Sequence, residues 1–179
     1  MTSTVINLAL FKLGWVACVF GAAAGRPGIG AAVIAVAVAV HLARSENRAG
    51  EARLLLAAGL IGLVWETLLV SGNVLDYGDG SFQQGLAPYW IVGMWILFAT
   101  TMNVGMRWLR RSPAVAAIAG AVGGPMSFVA GEKAGAVSFG DPVISLAVIA
   151  VGWALLLPLL VSLAQTFEGN AMAAAEGSA

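Results

Sequence analysis

Six long apolar stretches fill this chain, and six of its nine lysines and arginines fall in or beside two of the gaps between them. A hydrocarbon slab about 30 Å thick takes roughly 20 apolar residues per helix, and helices can cross it because they satisfy their own backbone polar groups. The stretches predict helices over 5–24, 28–43, 54–72, 88–109, 113–130 and 142–165, with boundaries good to a few residues. Only 10% of the residues are charged, against about 25% in a soluble domain, and mean hydropathy is +0.90. Too little polar surface exists to cover a water-facing globule. The expectation is an all-α, polytopic membrane protein with six transmembrane helices in one domain over 1–167, followed by a short flexible tail over 168–179.

Local chemistry supports several boundaries. Ser112-Pro113 and Asp141-Pro142 each place a capping residue before a proline at the first helical position. Arg26-Pro27-Gly28 reads as a tight turn, and Gly78, Asp79, Gly80 and Ser81 punctuate the longest external loop. Ala22, Ala23 and Ala24 resemble a signal-peptide cleavage site. However, Lys12 divides the preceding apolar run and no basic residue stands before it, so the first stretch reads as a retained helix.

Orientation follows from lysine and arginine. Arg44, Arg48 and Arg53 lie between the second and third stretches, and Arg107, Arg110 and Arg111 end the fourth. The remaining loops carry Arg26 and Lys133 beside Asp76, Asp79, Glu132 and Asp141. Both basic groups share one side only if both termini do, which predicts a multi-pass protein of a bacterial inner membrane with cytoplasmic N- and C-termini.

In lipid, helices associate through close backbone approach and occasional hydrogen bonds. Small residues form stripes on the first helix (Gly14, Cys18, Gly21), the third (Gly59, Gly62) and the fifth (Ala117, Gly120, Gly124, Ser127, Gly131). These faces are assigned to the interior, with the fifth helix central. Pro125 and Pro158 fall inside helices and free the carbonyls of Ala121 and Ala154.

Ionisable residues within a span are costly and mark candidate sites. Glu66 and Lys12 qualify. Glu66 is the candidate catalytic residue, an acid/base group for a lipid-soluble substrate or, alternatively, a coupling site in a transporter. Asn103 and Trp95 are expected to orient substrate, and His41 and Lys12 complete the candidate binding set. A buried Glu66 bonded to Asn103, to a tryptophan or to a freed carbonyl is the structural alternative. One histidine and one cysteine (Cys18) cannot form a typical metal site, and a lone cysteine excludes an intrachain disulfide. No nucleotide or dinucleotide motif is present, so neither cofactor nor metal is expected. Zero net charge gives no sign of nucleic acid. The expected partners are membrane lipids.

Several runs carry a resemblance: NLALFKLGW from Asn7 to Trp15, His41-Leu42, GLVWETLLVSGNVLDY, APYWIVGMWILFATTMNVGMRWL and GGPMSFVAGEKAGAVSF. Together they resemble a bacterial inner-membrane family catalogued as a domain of unknown function. The resemblance covers most of the chain and implies a small polytopic protein without an established activity. Members are often encoded near enzymes that modify fatty acyl chains, which implies lipid-related work. Lys12 stands where the resemblance leads one to expect a neutral polar residue such as glutamine, which argues against a catalytic Lys12. Three functions follow: modification of a hydrophobic substrate or assistance to enzymes that do it, small-molecule transport, and an accessory subunit with a protein partner in the membrane.

Overall fold

The computed structural model describes residues 2–78, 80–81 and 85–176. Six α-helices account for most of them: α1 (Thr2–Ala23), α2 (Pro27–Arg44), α3 (Arg48–Ser71), α4 (Tyr89–Ala99), α5 (Pro113–Lys133) and α6 (Pro142–Glu176). Five are long and apolar enough to cross a membrane. Their outward faces expose large apolar side chains, among them Leu56, Ile118, Val143 and Leu155. Such surface is a liability in water and ordinary against lipid. The helix α6 continues beyond Glu168, where the sequence suggested a tail.

The fourth helix departs from expectation. The apolar stretch 88–109 yields only the 11 residues Tyr89–Ala99 as α-helix, about 16 Å at 1.5 Å per residue and too short to span. The hydroxyls of Thr100 and Thr101 donate to the carbonyls of Leu97 and Phe98, each at 2.7 Å. The backbone tightens there into bonds three residues apart. Such side chains compete with the helical ladder. Turns follow, ending in a 3-10 helix at Arg107–Arg111.

The helices α1, α3 and α5 run toward the same end and stop with the same device. The Arg26 amide donates to the Gly21 carbonyl and the Gly25 amide to that of Ala22, a pairing that needs a left-handed residue, here Gly25 at φ 67°. Asn73 (φ 55°) fills that place after α3 and Gly135 after α5. At helix starts, the Asp141 carboxylate accepts from the Ile144 amide at 2.9 Å, as expected. Ser112 makes no side-chain cap, whereas Asn47 accepts from the Gly50 amide at 2.9 Å.

The beginning of α1, the α2–α3 connection, the 3-10 helix and the end of α6 gather at one end, together with the two basic clusters. The Asn7 amide donates to the Thr100 carbonyl there (3.0 Å), and the Asn47 amide to that of Phe167 (3.3 Å). At the other end a short antiparallel clip pairs β1 (Leu75–Asp76) with β2 (Ser138–Phe139), Leu75 opposite Phe139. It ties the exit of α3 to the α5–α6 loop.

Glycines set the helix contacts. A Cβ at Gly120 would meet the Trp153 carbonyl oxygen at 2.1 Å, and one at Gly124 or Gly62 would strike Trp153 or Trp95. The small-residue face of α5 therefore seats α6, but α5 is not central. It lies at the edge of the bundle, packed on α6 and the 3-10 helix, with Ile118, Val122 and Met126 outward. Two glycines serve to admit one tryptophan, and one neighbour suffices to bury that face. The short helix α4 instead contacts α1, α2 and α3.

Gly120→Ala is expected to cost about 1–3 kcal/mol through overpacking against backbone, read as a lower thermal midpoint in detergent. Gly123→Ala, with nothing within 4 Å of the added Cβ, should leave that midpoint unchanged or raise it.

Candidate functional site

The polar residues of the spans divide between two places. The first surrounds Glu66, five residues before the end of α3 and without exposed surface. Trp95 Nε1 donates to Glu66 Oε1 at 2.8 Å, and the Tyr77 hydroxyl donates to Oε2 at 2.5 Å. Each donor has a local reason to be there. Gly62, one turn before Glu66, leaves the notch that Trp95 fills. The Asn73 turn and β1 fold the chain back so that Tyr77, buried edge-on against Trp90 with ring centroids 5.4 Å apart, returns over the carboxyl. Burial, reinforced by the neighbouring Glu66 carboxyl, pushes the Tyr77 phenol well above its ordinary range and keeps it a donor.

This group stands in the wall of an apolar cleft of about 530 Å³. The cleft lies between α1 and α5, which do not pack along their lengths, and α4 and α6 form its floor. Trp153 of α6 stacks on Trp95 (4.8 Å between centroids, 20° between planes) and meets Phe98 edge-on at 5.3 Å. On the α5 side the wall is thin, with Gly120, Gly123, Gly124 and Gly131 around Ser127. Trp15 Nε1 donates to Ser127 Oγ at 3.3 Å and bridges the two rims. Lys12 lies at the rim on α1, its Nζ 5.4 Å from the Trp15 ring centroid.

The second place is a polar network at the basic end. His41 Nε2 lies 2.9 Å from Glu51 Oε2, both side chains buried. Asn103 donates to Glu51 Oε1 at 2.7 Å and accepts from Arg110, which also pairs with Glu168 at 2.5 Å. Arg107 adds a looser contact to Glu168 at 3.6 Å. Asn7, His41, Glu51, Thr100 and Asn103 line a separate cavity of about 670 Å³ beside this network. The chain of contacts joins α2, α3, the 3-10 helix and α6, and every carboxylate in it has a partner.

The five candidate residues from the sequence are thus separated. Glu66, Trp95 and Lys12 share the cleft, while His41 and Asn103 belong to the polar network. Of the partners considered for Glu66, it is a tryptophan, Trp95, that bonds it. Asn103 bonds Glu51 instead, because the helix breaks at Thr100 and carries Asn103 toward the basic end. Tyr77, Glu51 and Arg110 were not singled out. Tyr77 follows Glu66 by 11 positions across a turn and a strand, so no helical periodicity links them. Glu51 and Arg110 lie near the helix ends in sequence, and only the bundle buries their contacts. Among the described residues no cluster of metal-ligating side chains occurs.

Fold and site together define a multi-pass membrane protein with a buried carboxyl behind an apolar cleft. The chain belongs to the family described as "Protein of unknown function (DUF2878)", whose model matches residues 4–159. That span contains every run on which the family resemblance was drawn. No curated protein matches the chain, nor does any solved structure.

Glu66→Ala leaves the Trp95 N–H and the Tyr77 O–H unpaired, at about 1–3 kcal/mol for each buried donor, and should lower the thermal midpoint in detergent markedly. Glu66→Gln can still accept from Trp95 through Oε1 and donate to the Tyr77 oxygen through Nε2, so its midpoint should stay near that of the unaltered protein. Equal losses in both variants would show that the negative charge, not the hydrogen-bond geometry, holds the cluster.

Proposed function

We propose that this protein takes a hydrophobic, lipid-type substrate into the α1–α5 cleft and modifies it, or presents it to an enzyme that does, with Glu66 as the acid/base group. One observation carries the reading: a continuous apolar cleft of about 530 Å³ has Glu66 as the carboxyl group in its wall. Ligand sites commonly enclose about 300–1,000 Å³ of mostly apolar space with a few placed polar groups. The carboxyl itself has no exposed surface. A proton passing between it and the cleft would travel through the Tyr77 hydroxyl that it already bonds. Tyr77 lines the cleft and is the group in contact with substrate, while Glu66 holds the proton behind it. Trp95, stacked with Trp153, shapes the floor on which a chain would lie.

The transport reading draws less support. A coupling carboxyl needs a water path from either side, and Glu66 is sealed by Tyr77 and Trp95. An accessory subunit would favour a dry, fully packed interior, which the cleft interrupts. On the lysine and arginine asymmetry, the basic end faces the cytoplasm of a bacterial inner membrane and both termini lie there. Ser112→Cys, in a protein whose native Cys18 is buried, should then react at position 112 with a membrane-impermeant thiol reagent only after the cytoplasmic face is opened. Labelling in intact cells would reverse the orientation.

Lipid analysis of the gently extracted protein by native mass spectrometry tests the cleft. A retained lipid class is expected, lost in Gly123→Phe, whose ring projects into the cleft, and kept in the outward control Val122→Phe. Equal retention in both variants would remove the cleft from the reading. Glu66→Gln should keep the bound lipid and abolish any change in cellular lipid profile that expression of the unaltered protein produces. An unaltered profile change in Glu66→Gln would remove the acid/base role.

A further inference from the structure

One charge at membrane depth has no counter-charge. Lys12 lies ten residues beyond Thr2, the first residue of α1, about 15 Å along the helix. The first turns of α1 are level with the basic end, because Ser3 and Asn7 share the polar cavity with Arg44, Ser45 and Asn47. Lys12 therefore lies within the apolar span of α1, where ionisable side chains ordinarily pair with one another or with backbone carbonyls. Among the described residues the ion pairs are His41–Glu51, Arg107–Glu168 and Arg110–Glu168, and none includes Lys12. The carboxyl in its own cleft, Glu66, is occupied by Tyr77 and Trp95. The Trp15 ring attracts the ammonium and orders it at the rim, but a ring does not neutralise a charge.

We infer that Lys12 binds the anionic group of a single-chain amphiphile whose hydrocarbon chain occupies the cleft. The inference rests on the reading of the cleft as a lipid site and narrows the class of ligand to a long-chain carboxylate or a phosphate-bearing lysolipid. The 3.3 Å bond from Trp15 to Ser127 ties the rims together across the cleft and closes it to a transmembrane helix about 10 Å across, so the occupant is a single hydrocarbon chain lying beneath that tie within the cleft of about 530 Å³. The wall it would lie against is backbone-thin at Gly123 and Gly131. The site has chemical consequences. With the head at Lys12, the arm of the cleft beyond Trp15 leads past Val19 to Tyr77 and Glu66. The polar pair then meets the hydrocarbon of the ligand and not its headgroup, so any reaction there is one on the chain.

Bromine quenches tryptophan fluorescence on contact, and Trp15, Trp90, Trp95 and Trp153 all line the cleft. The test titrates the purified protein in a nonionic detergent with dibromostearate, with its methyl ester and with a dibrominated lysophosphatidylglycerol. At least one anionic probe should bind about tenfold or more tightly than the ester, a preference within the range of a charge pair at a partly desolvated site. The tighter of the two names the source of the anion. Lys12→Gln should reduce anionic binding to the level of the ester and leave the ester unchanged, and Lys12→Arg should restore the preference. An anionic preference that persists in Lys12→Gln overturns the assignment of the lysine while the cleft stands. Quenching by none of the chains, the ester included, overturns the cleft reading and this inference with it.

Discussion

Close approach of backbone to indole holds this bundle together. Lipid tails compete with apolar side chains on equal terms, so helices gain from contacts that lipid cannot reproduce. Here three tryptophans fill notches left by glycines on a neighbouring helix: Trp95 at Gly62, Trp153 at Gly120 and Gly124, and Trp65 at Gly152. These seats join α3, α4, α5 and α6. They also set the functional geometry, because Trp95 reaches Glu66 from the Gly62 notch, and Trp153, pressed against α5, turns its face to Trp95. The cleft is what remains where no such seat exists, between α5 and α1.

The charges at membrane depth obey one rule with one exception. A charge persists in low-dielectric surroundings when it is paired. At the basic end Glu51 holds His41 and Asn103, and Arg110 holds Asn103 and Glu168. At the opposite end Glu66 accepts from two donors carried by different elements. These clusters use opposite ends of the same helix, α3, and neither reaches the other. Lys12 alone among the membrane-depth charges described stands at an apolar opening with only an aromatic ring beside it. The same break that shortened α4 separates the sites, since it directs Asn103 into the polar network and leaves Trp95 in the cleft.

Much of the architecture was legible in the chain. Apolar runs of membrane length, prolines at helix starts and the Arg26-Pro27-Gly28 turn located the helices, and Glu66 stood out as a carboxyl inside an apolar run. Two expectations were overtaken by competition that composition does not express. The stretch 88–109 is apolar throughout, yet Thr100 and Thr101 turn their hydroxyls onto the helix backbone and end it. The glycine face of α5 suggested a central helix, yet a glycine row seats whatever large side chain meets it, and one tryptophan on one neighbour was enough.

The sequence alone determined class, the five helices of membrane length and the candidate carboxyl, because the bilayer imposes a length and a polarity rule that those five segments obey on their own. Only the tertiary structure decided which polar groups meet. Tyr77 reaches Glu66 through a left-handed Asn73 and a two-residue strand, and Trp95 reaches it through a glycine notch on another helix. Both contacts depend on how separate elements are oriented about one another. No local pattern encodes that orientation, because it follows from the sum of contacts across the bundle.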